Sequence, residues 1–203
     1  MKVILTDIDD TILKFADAFQ HWAVEQKGYT LTQSIRDGGS IQDAIGCHRD
    51  HVDELVIEFS TNPKYFSTIP PEEDALAVIP TLYKMGYQFV AISSCVDGPD
   101  VTACRRKNLE EAFGIPWLDV HCTGLLKPKV DYLSMFRPTW WVEDNAGHAV
   151  AGAAMGHKTF LLERAYNDLT NLVLPDVPTP YLRRVGSWHD VYAAIVLSER
   201  DAA

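Results

Sequence analysis

At 203 residues, the chain is long enough for one domain with a substantial core, or a domain carrying a small insert. Its 47% hydrophobic and 23% charged content is ordinary for a soluble globular protein, and no apolar run approaches the roughly 20 residues of a membrane span. The net charge of -10 argues against a nucleic-acid polymer or an anionic membrane as the main partner, so an anionic substrate would need a local positive cluster or a metal.

Residues 1–6 read as a strand, because Val3, Ile4 and Leu5 form the short apolar run a buried parallel strand needs. Asp7, Asp9 and Asp10 follow at once. Asp7 and Asp9 are two apart, so an extended backbone sends both side chains to one side. There they repel unless a cation or proton lies between them. The ordinary reading of this turn is the acidic start of a helix near Thr11. The rest of the chain decides between the two.

Residues 15–26 have helical spacing, with Phe15, Phe19, Trp22 and Ala23 on one face and Gly28 as the stop. Residues 29–69 contain no strand pattern; 40–59 read as one helix, broken by Asn62-Pro63. Pro70-Pro71-Glu72-Glu73-Asp74 opens a further helix running to Met85, with a kink expected at Pro80. From there strands and helices alternate. Strands are expected at 88–92, 118–122, 140–142, 159–162 and 184–185, and helices at 100–113, 128–136, 146–155 and 188–197. A long proline-bearing loop precedes the last strand. Such alternation predicts an α/β fold, a Rossmann-like parallel sheet with helices on both faces.

Cys47, Cys95, Cys104 and Cys122 show no CxxC spacing, which suggests reduced thiols in a cytoplasmic setting; residues 1–6 carry no signal-peptide pattern. Cys47, His48 and His51 lie close together, but without a second ligand pair they do not predict a zinc site.

In an open parallel sheet, ligands bind beyond the carboxyl ends of the strands. The first strand offers Asp7, Asp9 and Asp10 there, the second Ser93-Ser94, the third Lys127 and Lys129, the fourth Glu143-Asp144-Asn145. Each piece has an ordinary explanation alone: a strand terminus, surface lysines, the acidic start of a helix. Together at successive strand ends, acids, hydroxyl and lysine make a Mg2+ and phosphate site.

These residues resemble the motifs of the haloacid-dehalogenase-like (HAD) superfamily. Asp7-Ile8-Asp9-Asp10-Thr11 matches its first motif, Phe89 to Ser94 the second, Lys127-Pro128 the third, and Trp141-Val142-Glu143-Asp144-Asn145 the fourth. The resemblance implies that Asp7 attacks phosphorus and that Asp9 serves as general acid and then base. It implies that Ser94 or Ser93 and Lys127, with Lys129 the alternative, hold the phosphoryl group. Asp7, the backbone carbonyl of Asp9, and Asp144 would hold Mg2+, with Glu143 reaching it through water. It further implies a core of residues 1–14 and 75–203 and an all-helical cap at 15–74.

Weaker similarity to the 5'(3')-deoxyribonucleotidase branch lies in residues 62–70, 143–145, 160–167 and 187–188. The expected partner is a small phosphorylated metabolite, specifically a nucleotide, with Phe15, Phe19, Trp22, Tyr65 and Phe66 either stacking a base or filling the cap core. A homodimer is left open. A sugar-phosphate phosphatase or phosphotransferase is the alternative enzyme, and a non-catalytic phosphate-binding module the alternative of another class.

Overall fold

A computed structural model describes residues 1–36, 40–167 and 181–200 of the chain. Six parallel strands form one sheet: β1 (Lys2–Thr6), β2 (Tyr87–Ser93), β3 (Asp119–Cys122), β4 (Trp140–Glu143), β5 (Lys158–Leu162) and β6 (Leu182–Val185). Their order is β3-β2-β1-β4-β5-β6. All six fall where the apolar runs predict them. The expected proline-bearing loop lies largely at 168–180, outside the described residues.

The helices are α1 (Phe15–Lys27), α2 (Ile41–Ile45), α3 (Arg49–Ser60), α4 (Pro63–Phe66), α5 (Glu73–Lys84), α6 (Pro99–Phe113), α7 (Val130–Leu133), α8 (Ala146–Ala154) and α9 (Trp188–Arg200). The strand period of two divides the core between the faces of the sheet. Ile4, Phe89, Ala91, Val142 and Phe160 join Ile79, Leu109 and Ile195 of α5, α6 and α9. On the other side, Leu5, Val90, Ile92 and Trp141 pack with Leu133 of α7, while Leu161 meets Ala146 and Ala149 of α8. Gly152 permits the close approach of α8, since a Cβ there would lie 2.4 Å from Trp141 Cδ1.

The insert α1–α4 is held by rings. Phe59 lies 5.6 Å from Phe19, 5.4 Å from Trp22 and 6.0 Å from Phe66, and this cluster is continuous with the α5–α6–α9 side of the sheet. The single helix expected at 40–59 is in fact two. Gly46 turns left-handed (φ 71) and ends α2, and the His48 ring then caps α3 by accepting from the Asp50 amide. α7 is also shorter than predicted, starting at Val130. α5 runs from Glu73 to Lys84 across Pro80. Among the described residues, no helix is long and apolar enough to cross a membrane.

Strand order reverses between β1 and β4, which leaves a crevice beyond their carboxyl ends. The pairs Ile4↔Trp140 and Thr6↔Val142 fix their register, so the residues that follow, Asp7 and Glu143, emerge side by side.

Candidate active site

The Asp7 amide donates to Val142 O at 2.9 Å, so β1 is still paired with β4 where the first aspartate leaves it. The Asp7, Glu143 and Asp144 side chains each bring an oxygen within 4.8 Å of the others, and all three are buried. Lys129, 2% exposed, reaches into this group. Its Nζ lies 2.5 Å from Asp7 Oδ1 and 2.9 Å from Glu143 Oε2. Thr11 Oγ1 lies 2.7 Å from Asp144 Oδ1 and 3.4 Å from Asp7 Oδ2. The Tyr166 hydroxyl donates to Asp144 Oδ2, and Asn167 Nδ2 holds the Asp144 carbonyl at 2.6 Å.

Three carboxylates against one ammonium leave the pocket short of positive charge. Burial pushes the Asp7 carboxyl well above the usual carboxylate range, and Glu143 adds to the effect more than Lys129 offsets it. Burial likewise pushes Glu143 to about 7, with Lys129 pulling the other way. Burial works against the Lys129 ammonium, but Asp7 and Glu143 outweigh it and hold Lys129 above its ordinary value. Asp10, beside the cluster, is raised to about 8 by burial and then by Asp144. Such a site accepts protons or a cation. Its donors are all hard oxygens, with no sulfur or imidazole among them, and so fit Mg2+.

Asp9 faces elsewhere. β1 ends at Thr6, so the extended backbone that would aim Asp7 and Asp9 alike does not continue, and the Asp9 carboxylate stands outside the three-acid cluster. Asp9 Oδ2 accepts from Ser93 Oγ at 2.7 Å, and Oδ1 is ion-paired with Arg105.

The lysines divide sharply. Lys129 lies beside Asp7, whereas the Lys127 side chain is 63% exposed and pairs with Asp97 at 3.3 Å. The two serines differ as well. Ser93 is buried and turned to Asp9; Ser94 is half-buried, donating to Lys127 O at 2.9 Å and lying 3.5 Å from His148 Nε2. His148 is lowered to about 4 by burial and by Lys129, so it stays neutral. Of the aromatics in the insert, Phe19, Trp22 and Phe66 are core residues; Phe15 and Tyr65 are half-buried.

Five residues with contacts here, Thr11, Arg105, His148, Tyr166 and Asn167, were given no role by the sequence reading. Thr11 lies in the first acidic turn, where its position was a usable signal. Arg105 sits in the basic run Arg105-Arg106-Lys107, where nothing in the sequence sets it apart from its two neighbours. Tyr166 and Asn167 fall in the stretch 160–167 that resembles the nucleotidase branch, with no role attached, and His148 carries no signal beyond following the fourth strand.

No protein-family model matches the sequence, and no curated protein matches it. Solved structures do. A predicted phosphatase from Clostridium acetobutylicum superposes with a TM-score of 0.64 at 14% identity, covering 96% of this chain and 98% of that one. A D,D-heptose 1.7-bisphosphate phosphatase from B. bronchiseptica, complexed with magnesium and phosphate, gives 0.59 at 14% identity over 98% and 99%. A dehalogenase with an intermediate complex gives 0.60 at 12% identity over 96% of each chain. The chain has the α/β, haloacid-dehalogenase-like fold that its strand-end residues resemble. At these identities the likeness defines fold alone.

Proposed function

We propose that the chain is a Mg2+-dependent phosphomonoester hydrolase that works through an aspartyl-phosphate on Asp7. The observation that carries this reading is the enclosed Asp7–Glu143–Asp144 cluster with Lys129 inside it and a second aspartate, Asp9, two residues beyond the first. Asp7, Glu143 and Asp144 are the carboxylates that would hold Mg2+, with the Asp9 carbonyl as a further ligand. Bound there, the ion would neutralise charge on the phosphoryl oxygens.

One Asp7 oxygen attacks phosphorus as the bond to the leaving oxygen breaks, and Asp9 delivers the proton that oxygen needs. Water then attacks the aspartyl-phosphate and gives its proton to Asp9, which frees Asp7 and inorganic phosphate. Lys129 supplies the ammonium beside the transferring group, in place of Lys127, with the Ser94 hydroxyl available on the β2 side. A second carboxylate at Asp9 favours phosphoryl transfer over dehalogenation, which requires no proton donor for a halide.

The substrate we assign is a small phosphorylated metabolite, a nucleoside monophosphate first, handled in the cytoplasm. Of the five aromatics expected to stack a base or fill the cap core, Phe15 and Tyr65 are those with surface left to meet a base. The test is a panel of phosphomonoesters assayed with Mg2+ and with EDTA. Phosphate release that requires Mg2+ and favours nucleotides is expected. A preference for sugar phosphates moves the substrate class. Halide release from 2-haloacids without ester hydrolysis contradicts the reading.

A further inference from the structure

Arg105 is a buried cation outside the acid cluster. It lies on α6 between Cys104 and Arg106, yet it is 0% exposed. Its guanidinium carbon sits 3.7 Å from the centre of the Phe66 ring and 6.0 Å from that of Phe15. One terminal nitrogen pairs with Asp9 Oδ1, while Nε and Nη1 have no hydrogen-bond partner among the described residues. A buried cation with donors left unmatched is costly, and a leucine or methionine would fill a site between two rings at lower cost. Packing therefore does not account for an arginine here; its ion pair with Asp9 does.

We infer that Arg105 is a positioning residue that, together with Ser93, sets the direction of the Asp9 side chain, the group that the phosphohydrolase reading makes the proton donor and acceptor. Each Asp9 oxygen has its own holder: Ser93 Oγ at 2.7 Å on Oδ2, Arg105 on Oδ1. The two holders come from different elements, β2 and α6, so the carboxylate is fixed in orientation as well as place. The flat guanidinium is itself held by the ring of Phe66 in α4, which ties Asp9's position to the packing of the insert. Arg105 acts through Asp9 and does not touch the reacting atoms.

This inference rests on the phosphohydrolase reading, and the test separates the two. Phenyl phosphate and p-nitrophenyl phosphate have nearly the same shape, but phenolate is the poorer leaving group and needs the proton more. Leaving-group release is followed in single turnovers with enzyme in excess and Mg2+ present, for the parent, R105M, R105K and F66L, with thermal unfolding checking that each is folded. In R105M, phenol release should slow at least about tenfold more than p-nitrophenol release, since a positioned acid is worth 10²- to 10⁴-fold. R105K should recover part of that difference, and F66L should show a smaller skew of the same sign. Equal losses on the two esters, or none, overturn the inference while leaving the phosphohydrolase reading standing. If R105M does not fold, F66L decides by the same criterion. A parent protein that cleaves neither ester with Mg2+ overturns both.

Discussion

Burial at the carboxyl ends of β1 and β4 encloses charge, whereas burial in the insert α1–α4 encloses rings. Asp7, Lys129, Glu143 and Asp144 are all buried within one pocket, with two negative charges in excess when every group is ionised. Phe19, Trp22, Phe59 and Phe66 are buried equally well, but their contacts are ring against ring at 5.4 to 6.0 Å. Hydrophobic packing explains the second region, the contact of Phe66 with the Arg105 guanidinium apart. It would never select the first, because removing charge from water is opposed by desolvation that a single lysine does not offset. Where a fold keeps such a cluster, the cause lies in what the cluster binds. Substitutions should therefore divide: those at the strand ends change chemistry whatever they do to stability, and those in the insert, Phe66 against Arg105 apart, change stability alone.

The sharpest break comes at Asp7. Asp7→Asn should abolish turnover, because an amide oxygen is no nucleophile for phosphorus, while relieving charge in the metal-free fold. Thermal unfolding in EDTA should show a midpoint at or above the parent's. A marked fall would mean that the pocket is a structural ion-pair network.

Lys129 comes next. Lys129→Met should lower kcat/KM by roughly 10²-fold or more, the scale of losing one charge-stabilising donor. It should also destabilise the metal-free fold by about 3–5 kcal/mol, since the buried acids lose their counterion. Lys127→Ala, at an exposed site paired with Asp97, should leave kcat/KM within a factor of two or so of the parent. The reverse ranking would separate the buried lysine from the chemistry.

In the insert, Trp22→Ala should cost about 3–5 kcal/mol of stability by urea unfolding. At temperatures where the variant stays folded, release of p-nitrophenol per folded molecule should hold within a few-fold. A selective loss of activity would mean that the ring core of the insert takes part in the reaction.

The smallest effect expected is on pH dependence. Asp7, Glu143 (about 7) and Asp10 (about 8) are all raised in the fold, so protonation favours the metal-free protein. Their ionisation removes stability as pH rises from the ordinary carboxylate range toward 8. The depression of His148 acts the opposite way, but mainly below its ordinary value of 6.5. Between pH 6 and 8, the unfolding midpoint in EDTA should therefore fall. Mg2+ must displace the same protons, so its affinity by calorimetry should weaken roughly tenfold from pH 8 to 6. Affinity independent of pH would exclude Asp7 and Glu143 from the metal site.

The sheet was legible because buried parallel strands are short apolar runs bounded by turn residues, and Val3–Leu5, Phe89–Ile92 and Phe160–Leu162 are of that kind. Gly28 and Gly114 marked helix ends correctly, since both adopt the left-handed conformation glycine tolerates. The same signal at Gly46 was outweighed by apolar spacing, which continues from Ile45 to Val52 across a break in the backbone. At the site, residue types were legible and directions were not. Lys127 and Lys129 are two apart in an irregular loop, and the turn that sets their directions is closed by Lys127 N to Gly124 O at 3.0 Å. Arg105 was hidden for a related reason, because its burial depends on Phe66, far along the chain, lying over α6.

The most direct test of the central claim uses Asp9→Asn with p-nitrophenyl phosphate. p-Nitrophenolate leaves without a proton, but hydrolysis of the aspartyl-phosphate still needs the base. The variant should release about one equivalent of p-nitrophenol in a burst and then nearly stop, and acid-quenched protein should carry a phosphoryl group on Asp7, detectable by mass. Steady turnover of Asp9→Asn at the parent rate, or an unmodified Asp7 in a protein that shows the burst, would contradict the account.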